Sequence, residues 1–167
     1  MAAPQQGQNK AGYTLEVRRT FPFSREKVFA AWTDRKQLEQ WMCKDAVHHV
    51  VIHRQQDIRT GGRYVLEVHD PDRNEVYWGQ GTYREVTPLE RIVFTWHWTK
   101  TTPDGENLHP NSSETIVTVE FFARGKATEV VLTQGPFGSQ ADQQEHHGGW
   151  NGCFDVLAAA LQTAPRN

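Results

Sequence analysis

The sequence predicts an α+β fold: one strand, two short helices, a curved antiparallel sheet of about six to seven strands, and a long C-terminal helix over that sheet. Three observations carry this reading. Apolar and polar residues alternate in short segments from about residue 13 to about 134, the period of half-buried strands. Brief turns rich in Gly, Pro and Asp separate those segments, which favours antiparallel neighbours over crossover connections. From about 140 the period changes, with Trp150, Phe154, Leu157 and Leu161 spaced by four, three and four residues. That spacing draws one stripe of an amphipathic helix.

The first twelve residues are polar, rich in Gln, Gly and Ala, and read as a disordered tail before a single domain at 13–163. From Tyr13 to Thr20, Leu15 and Val17 alternate with Glu16 and Arg18, a strand that Pro22 ends. Ser24 offers an N-cap for a helix carrying Val28, Phe29 and Trp32. Thr33 or Asp34 caps a second short helix, with Leu38, Trp41 and Met42 on its apolar side. Strands at 47–58 and 63–69 flank Thr60-Gly61-Gly62, where glycines permit the positive φ of a tight hairpin. Asp70 to Asn74 is turn chemistry leading to a strand at about 75–87. Gly79 and Gly81 inside that strand predict a bulge or bend that curves the sheet. After Pro88, the residues Ile92, Phe94, Trp96 and Trp98 share one face of the next strand. The polar segment 100–112 forms the longest loop. Thr115–Phe122 and Thr128–Gln134 make a last hairpin around Arg124-Gly125-Lys126. A helix over about 140–163 is roughly 36 Å long at 1.5 Å per residue, enough to cross a sheet. A curved sheet cannot touch one straight helix along its whole length, so a cavity opens where curvature leaves the helix behind.

The chain has 167 residues and a formal net charge of -2, with a pI of about 6.4 and a mean hydropathy of -0.69. That balance gives no electrostatic footprint for nucleic acid or anionic lipid. No apolar run is long enough to span a membrane, and the opening residues lack a signal-peptide layout, so a cytoplasmic protein is expected. Cys43 and Cys153 form at most one bridge and are expected as two reduced thiols. Eight histidines invite a metal, but neither His48 and His49 nor His146 and His147 fall at ligand spacing, and no metal or cofactor is expected. GxSxG, GxxxxGK[ST] and GxGxxG motifs are missing as well.

What remains is aromatic. Six Trp in a domain this small supply more wide, flat apolar surface than aliphatic packing needs. Trp41, Trp78, Trp96, Trp98, Phe121, Trp150 and Phe154 are therefore the expected walls of a ligand cavity, against the plain alternative that they fill the core. Gln80, Arg84, Gln134 and His146 are the polar groups expected to orient a ligand. His146 lies four residues before Trp150 and about 40° from it around the helix, placed to bond a ligand or to act as a base. His147, on the other side, is expected in solvent.

A family resemblance adds to this reading. Ser24-Arg-Glu-Lys-Val28-Phe29-Ala-Ala-Trp32-Thr33-Asp34, with Leu38-Glu-Gln-Trp41, resembles the opening signature of the family named for the activator of the 90-kDa heat-shock-protein ATPase. Asp57-Ile-Arg59-Thr-Gly61-Gly62, Gly81-Thr-Tyr83-Arg-Glu85-Val86 and Arg91-Ile-Val-Phe94-Thr-Trp96 continue the match. Thr115 to Phe121, Thr128-Glu129-Val130 and His146-His-Gly-Gly149-Trp150 complete it in order. The resemblance places the chain in the START-like (SRPBCC) superfamily and implies a helix-grip fold. Its members include lipid carriers, hormone receptors and polyketide cyclases. Three functions are thus expected in order. The first is binding of a small hydrophobic or aromatic ligand, by a monomer or homodimer. The second is a cyclase-like enzyme with His146 as base. The third is a co-chaperone role in the stress response, ranked last because about a dozen polar residues stand where the eukaryotic activator carries its chaperone-contacting N-terminal domain.

Overall fold

A computed structural model describes residues 12–44, 49–100 and 113–163. The expected tail, nearly all of the expected longest loop, and the start of the expected strand at 47 lie outside the described residues.

Strand β1 (Tyr13–Phe21) leads into helices α1 (Arg25–Thr33) and α2 (Arg35–Leu38). Strands β2 (Val50–Gln56), β3 (Arg63–Asp70), β4 (Glu75–Thr87), β5 (Arg91–Thr99), β6 (Thr115–Arg124) and β7 (Ala127–Phe137) follow, and α3 (Gln140–Thr163) closes the described chain. The seven strands form one antiparallel sheet in the order β1-β7-β6-β5-β4-β3-β2. The architecture is the expected helix-grip α+β fold.

Local chemistry sets the helix boundaries. The Ser24 hydroxyl accepts the Lys27 backbone N–H at 3.2 Å, and the Asp34 carboxylate accepts that of Lys36 at 2.9 Å, each replacing an orphaned helical bond. Helix α2 is only four residues long, so Trp41 and Met42, expected on it, lie in the turn behind it. Cys43 ends that turn in a left-handed conformation, φ 61°.

Helix α3 buries Trp150, Cys153, Phe154, Leu157 and Leu161, the expected stripe with one cysteine added. It packs chiefly along β1, and less along β7. Arg19 on β1 pairs with Asp155 at 2.6 Å, and Gln143 donates to the Thr14 carbonyl at 2.6 Å. The helix is therefore pinned to one edge of the sheet, and β3 to β5 diverge from it. No described helix is long and apolar enough to cross a membrane.

Buried His53 on β2 couples this packing to pH. Tyr83 donates to Gln56 Oε1 at 3.0 Å, which turns Gln56 Nε2 toward His53 Nδ1 at 3.2 Å. Burial, reinforced by the Arg35 and Lys44 cations and opposed by Glu39, pushes the imidazole pKa down from 6.5 to about 4. The unfolded chain takes a proton near 6.5 and the folded one does not until about 4. Stability is thus full above the first value and falls as pH drops toward the second, by about 2–3 kcal/mol. Urea unfolding at about pH 7 and about pH 4.5 should show this loss, and a His53→Gln variant should show much less of it.

Candidate functional site

Aromatic rings divide the interior into a solid part and an open part. In the solid part, Trp32 on α1 is ringed by Trp41 at 4.5 Å between centroids, Phe121 and Phe154 at 6.1 Å, and Trp150 at 6.2 Å. Trp41 Nε1 donates to the Ala31 carbonyl at 2.9 Å. Between the α1–α2 side and strands β3 to β5 only a void of about 10 Å³ remains, bordered by Trp32, Tyr64 and Trp96 among others. That is about the room of one water.

The open part lies where α3 parts from the sheet. Here a cavity of about 850 Å³ is bordered by Tyr77, Trp96 and Trp98 from the sheet, Phe137 at the end of β7, and Trp150 from α3. Its size falls in the range of about 300–1,000 Å³ usual for ligand pockets. Gly79 makes room for its wall. This residue stands opposite Trp98, and a Cβ there would lie 2.9 Å from Trp96 Cζ2 and 3.0 Å from Trp98 Cζ3. The expected bulge sits elsewhere, since the β4–β5 register slips between Tyr83 and Glu85.

Two hydrogen-bond chains brace the walls. Trp150 Nε1 donates to Gln134 Oε1 at 2.7 Å, Gln134 Nε2 to the Thr115 hydroxyl at 2.8 Å, and that hydroxyl to the Trp96 carbonyl at 3.2 Å. The second chain joins sheet to helix. Trp98 Nε1 donates to His146 Nε2 at 3.0 Å. An indole N–H can only donate, so His146 Nε2 is the acceptor and the ring proton sits on Nδ1. Nδ1 in turn faces the Asp142 carbonyl at 2.8 Å and its carboxylate at 3.1 Å. The Phe137 ring packs on the imidazole with centroids 4.8 Å apart. Trp98→Phe and His146→Ala should each cost about 1 kcal/mol. The double variant should cost less than the two together, because both remove one bond. Denaturant titration of the four proteins measures this.

The cavity rim is charged. Asp70, Asp72 and Glu75 border it from the β3–β4 turn, with Arg73 and Lys100 beside them; Asp142 and Glu145 border it from α3. Burial opposes the Asp70 charge, but the Arg73 backbone N–H, the His49 ring and the Asp72 N–H outweigh it and hold the carboxyl below the usual range. His49 Nε2 lies 3.4 Å from that carboxylate.

Of the eleven residues expected to bind ligand, Trp96, Trp98, Gln134, His146 and Trp150 border this cavity. Trp41, Phe121 and Phe154 are fully buried in the solid cluster. Trp78 and Gln80 face away on the other side of the sheet. Trp78 opposes Glu67 and Thr99, and Gln80 opposes Val65 and His97 and takes a bond from Arg63 at 2.9 Å. Arg84 is exposed and lies 3.6 Å from Glu114. His147 is exposed, as expected. Cys43 and Cys153 are not joined in a disulfide, and both border the cavity. Sequence reasoning missed Tyr77, Phe137 and the acidic rim; the shared parity of Tyr77 with Gly79 was the one available signal. Among the described residues, no group of three or more His, Cys, Asp or Glu is placed to hold a metal ion.

Comparison with known proteins agrees with this architecture. The family profile described as "Activator of Hsp90 ATPase homolog 1-like protein" matches residues 22–162. No curated protein matches the chain. A protein of Chromobacterium violaceum superposes with a TM-score of 0.77 at 21% identity, over 90% of this chain and 98% of its own. The AHSA1 protein of Silicibacter pomeroyi gives 0.75 at 23% identity, over 90% and 98%. A Mycobacterium smegmatis protein gives 0.73 at 19%, over 92% and 93%. At such identities these likenesses show a shared fold.

Proposed function

Because this chain belongs to the Activator of Hsp90 ATPase homolog 1-like family, we propose that it is a binding protein that holds a small hydrophobic or aromatic ligand between its sheet and α3, without covalent chemistry. The observation that carries this reading is the cavity of about 850 Å³ with Trp96, Trp98 and Trp150 in its walls. Burying a flat ring there removes apolar surface at about 25 cal/mol per Å², and the walls are already braced by their own hydrogen bonds. A cyclase role has less support. Its base, His146, already gives its acceptor nitrogen to Trp98, so a substrate proton must displace an indole N–H before it can be taken.

The test is a tryptophan-fluorescence titration with 2-methylnaphthalene and a lipid panel, checked by native mass spectrometry. Saturable quenching with one bound molecule is expected for at least one compound. Gly149→Phe, which places a ring at the cavity wall, should abolish it. Quenching by none of them overturns the proposal. The family description supports a second reading, contact with a 90-kDa chaperone; it requires faster chaperone ATP hydrolysis when this protein is added.

A further inference from the structure

We infer that the cavity takes neutral aromatic carbonyl compounds, whose carbonyl oxygen accepts a hydrogen bond from the Gln134 side-chain amide. The inference rests on the binding reading above and adds the ligand class to it. Gln134 is an amide at an interior position of β7, and its partners across the sheet, Leu15 and Val117, are both buried. It is only 2% exposed, yet it borders the cavity. Its neighbours fix its orientation. The Trp150 indole can only donate, so the atom it meets at 2.7 Å is Oε1, and the amino group lies on the other side of the amide. Nε2 carries two protons and gives one to the Thr115 hydroxyl at 2.8 Å. Among the described residues that is the one bond Nε2 makes. Its second proton is a buried donor in a braced side chain at the cavity wall.

The chemistry of the walls narrows the class. Trp96, 4% exposed, holds an indole N–H that also has no acceptor among the described residues, and its backbone carbonyl takes the Thr115 hydroxyl. A wholly apolar guest therefore seals N–H groups away unpaired, which is costly. An acceptor oxygen on the guest's ring removes that cost at Gln134. A carbonyl suits the site because it has two lone pairs and no proton that needs an acceptor of its own. The guest is neutral because the two basic side chains at the rim are already matched: Lys100 Nζ lies 3.5 Å from Glu75, and Arg73 Nε lies 3.8 Å from Asp70. A carboxylate brought to Gln134 would be buried without a counter-charge.

Two probes of one shape test this: 2-acetylnaphthalene, and 2-isopropenylnaphthalene, in which a methylene group replaces the carbonyl oxygen. Both are titrated by tryptophan fluorescence against the wild-type protein and Gln134→Met. The ratio of their affinities, ketone over alkene, should fall about tenfold in the variant. Taking the ratio cancels any loosening of the Trp150 brace, which both probes feel. Side-chain amide NMR of the wild-type protein gives a second readout that needs no variant. One Gln134 Nε2 proton should move downfield when the ketone binds and should not when the alkene binds. If Gln134→Met does not fold, that shift alone decides. An affinity ratio that is the same in both proteins overturns the inference and leaves the binding reading standing, and so do equal amide shifts with both probes. If neither probe binds the wild-type protein, the binding reading itself falls and the inference goes with it.

Discussion

Gly81→Ala should cost about 3–5 kcal/mol of stability, a large loss for so small a change. A Cβ at Gly81 would lie 1.9 Å from the Thr95 carbonyl oxygen and 2.8 Å from its hydroxyl. The first of these is backbone and cannot rotate away. The same carbonyl accepts the hydroxyl of Tyr64, a fully buried ring, and the Thr95 hydroxyl accepts the Thr82 N–H at 2.9 Å. An added methyl therefore pries β4 from β5 where the two carry the cavity wall. Thermal unfolding should fall by about 10 °C or more for a chain of this size. Gly79→Ala should be milder, since its clashes are with indole rings that can tilt.

Trp32→Ala should cost about 3–5 kcal/mol. Trp32 is 2% exposed and touches four other aromatic rings, so its loss leaves a void that none of them can fill without breaking other contacts. One neighbour is Trp150, which lies nearly parallel to it with an interplanar angle of 25° and also borders the cavity. The variant should therefore weaken ligand binding as well as stability. Trp32→Phe should cost much less. It keeps most of the ring, and it removes an indole N–H that has no hydrogen-bond partner among the described residues. Urea unfolding of the two variants separates ring volume from polar burial.

Periodicity made most of the fold legible. Helix α3 was readable because four apolar residues repeat at helical spacing from Trp150 to Leu161, and β5 because Phe94, Trp96 and Trp98 alternate with polar neighbours. The candidate site was only half legible, and β4 shows why. Its inward face carries Tyr77, Gly79, Gly81 and Tyr83, and two glycines leave that face looking empty in a pattern of side chains. Trp78 and Gln80, on the opposite parity, look like the better wall and yet face outward. Trp41, Phe121 and Phe154 failed for another reason. They do point inward, but where a helix parts from a curved sheet depends on three-dimensional curvature, which no spacing encodes. The acidic rim was hidden too, since Asp70 to Asn74 reads as an ordinary turn until the fold sets it across from Asp142 and Glu145.

The indole N–H resonances give the most direct test of an open space beside some tryptophans and solid packing around others. The six Trp residues offer six probes, followed by two-dimensional NMR as 2-methylnaphthalene is added. Trp96, Trp98 and Trp150 should shift together and saturate, while Trp41 and Trp78 stay in place. Resonances that never move, or Trp41 and Trp78 moving as far as the other three, would contradict a ligand cavity between β5 and α3.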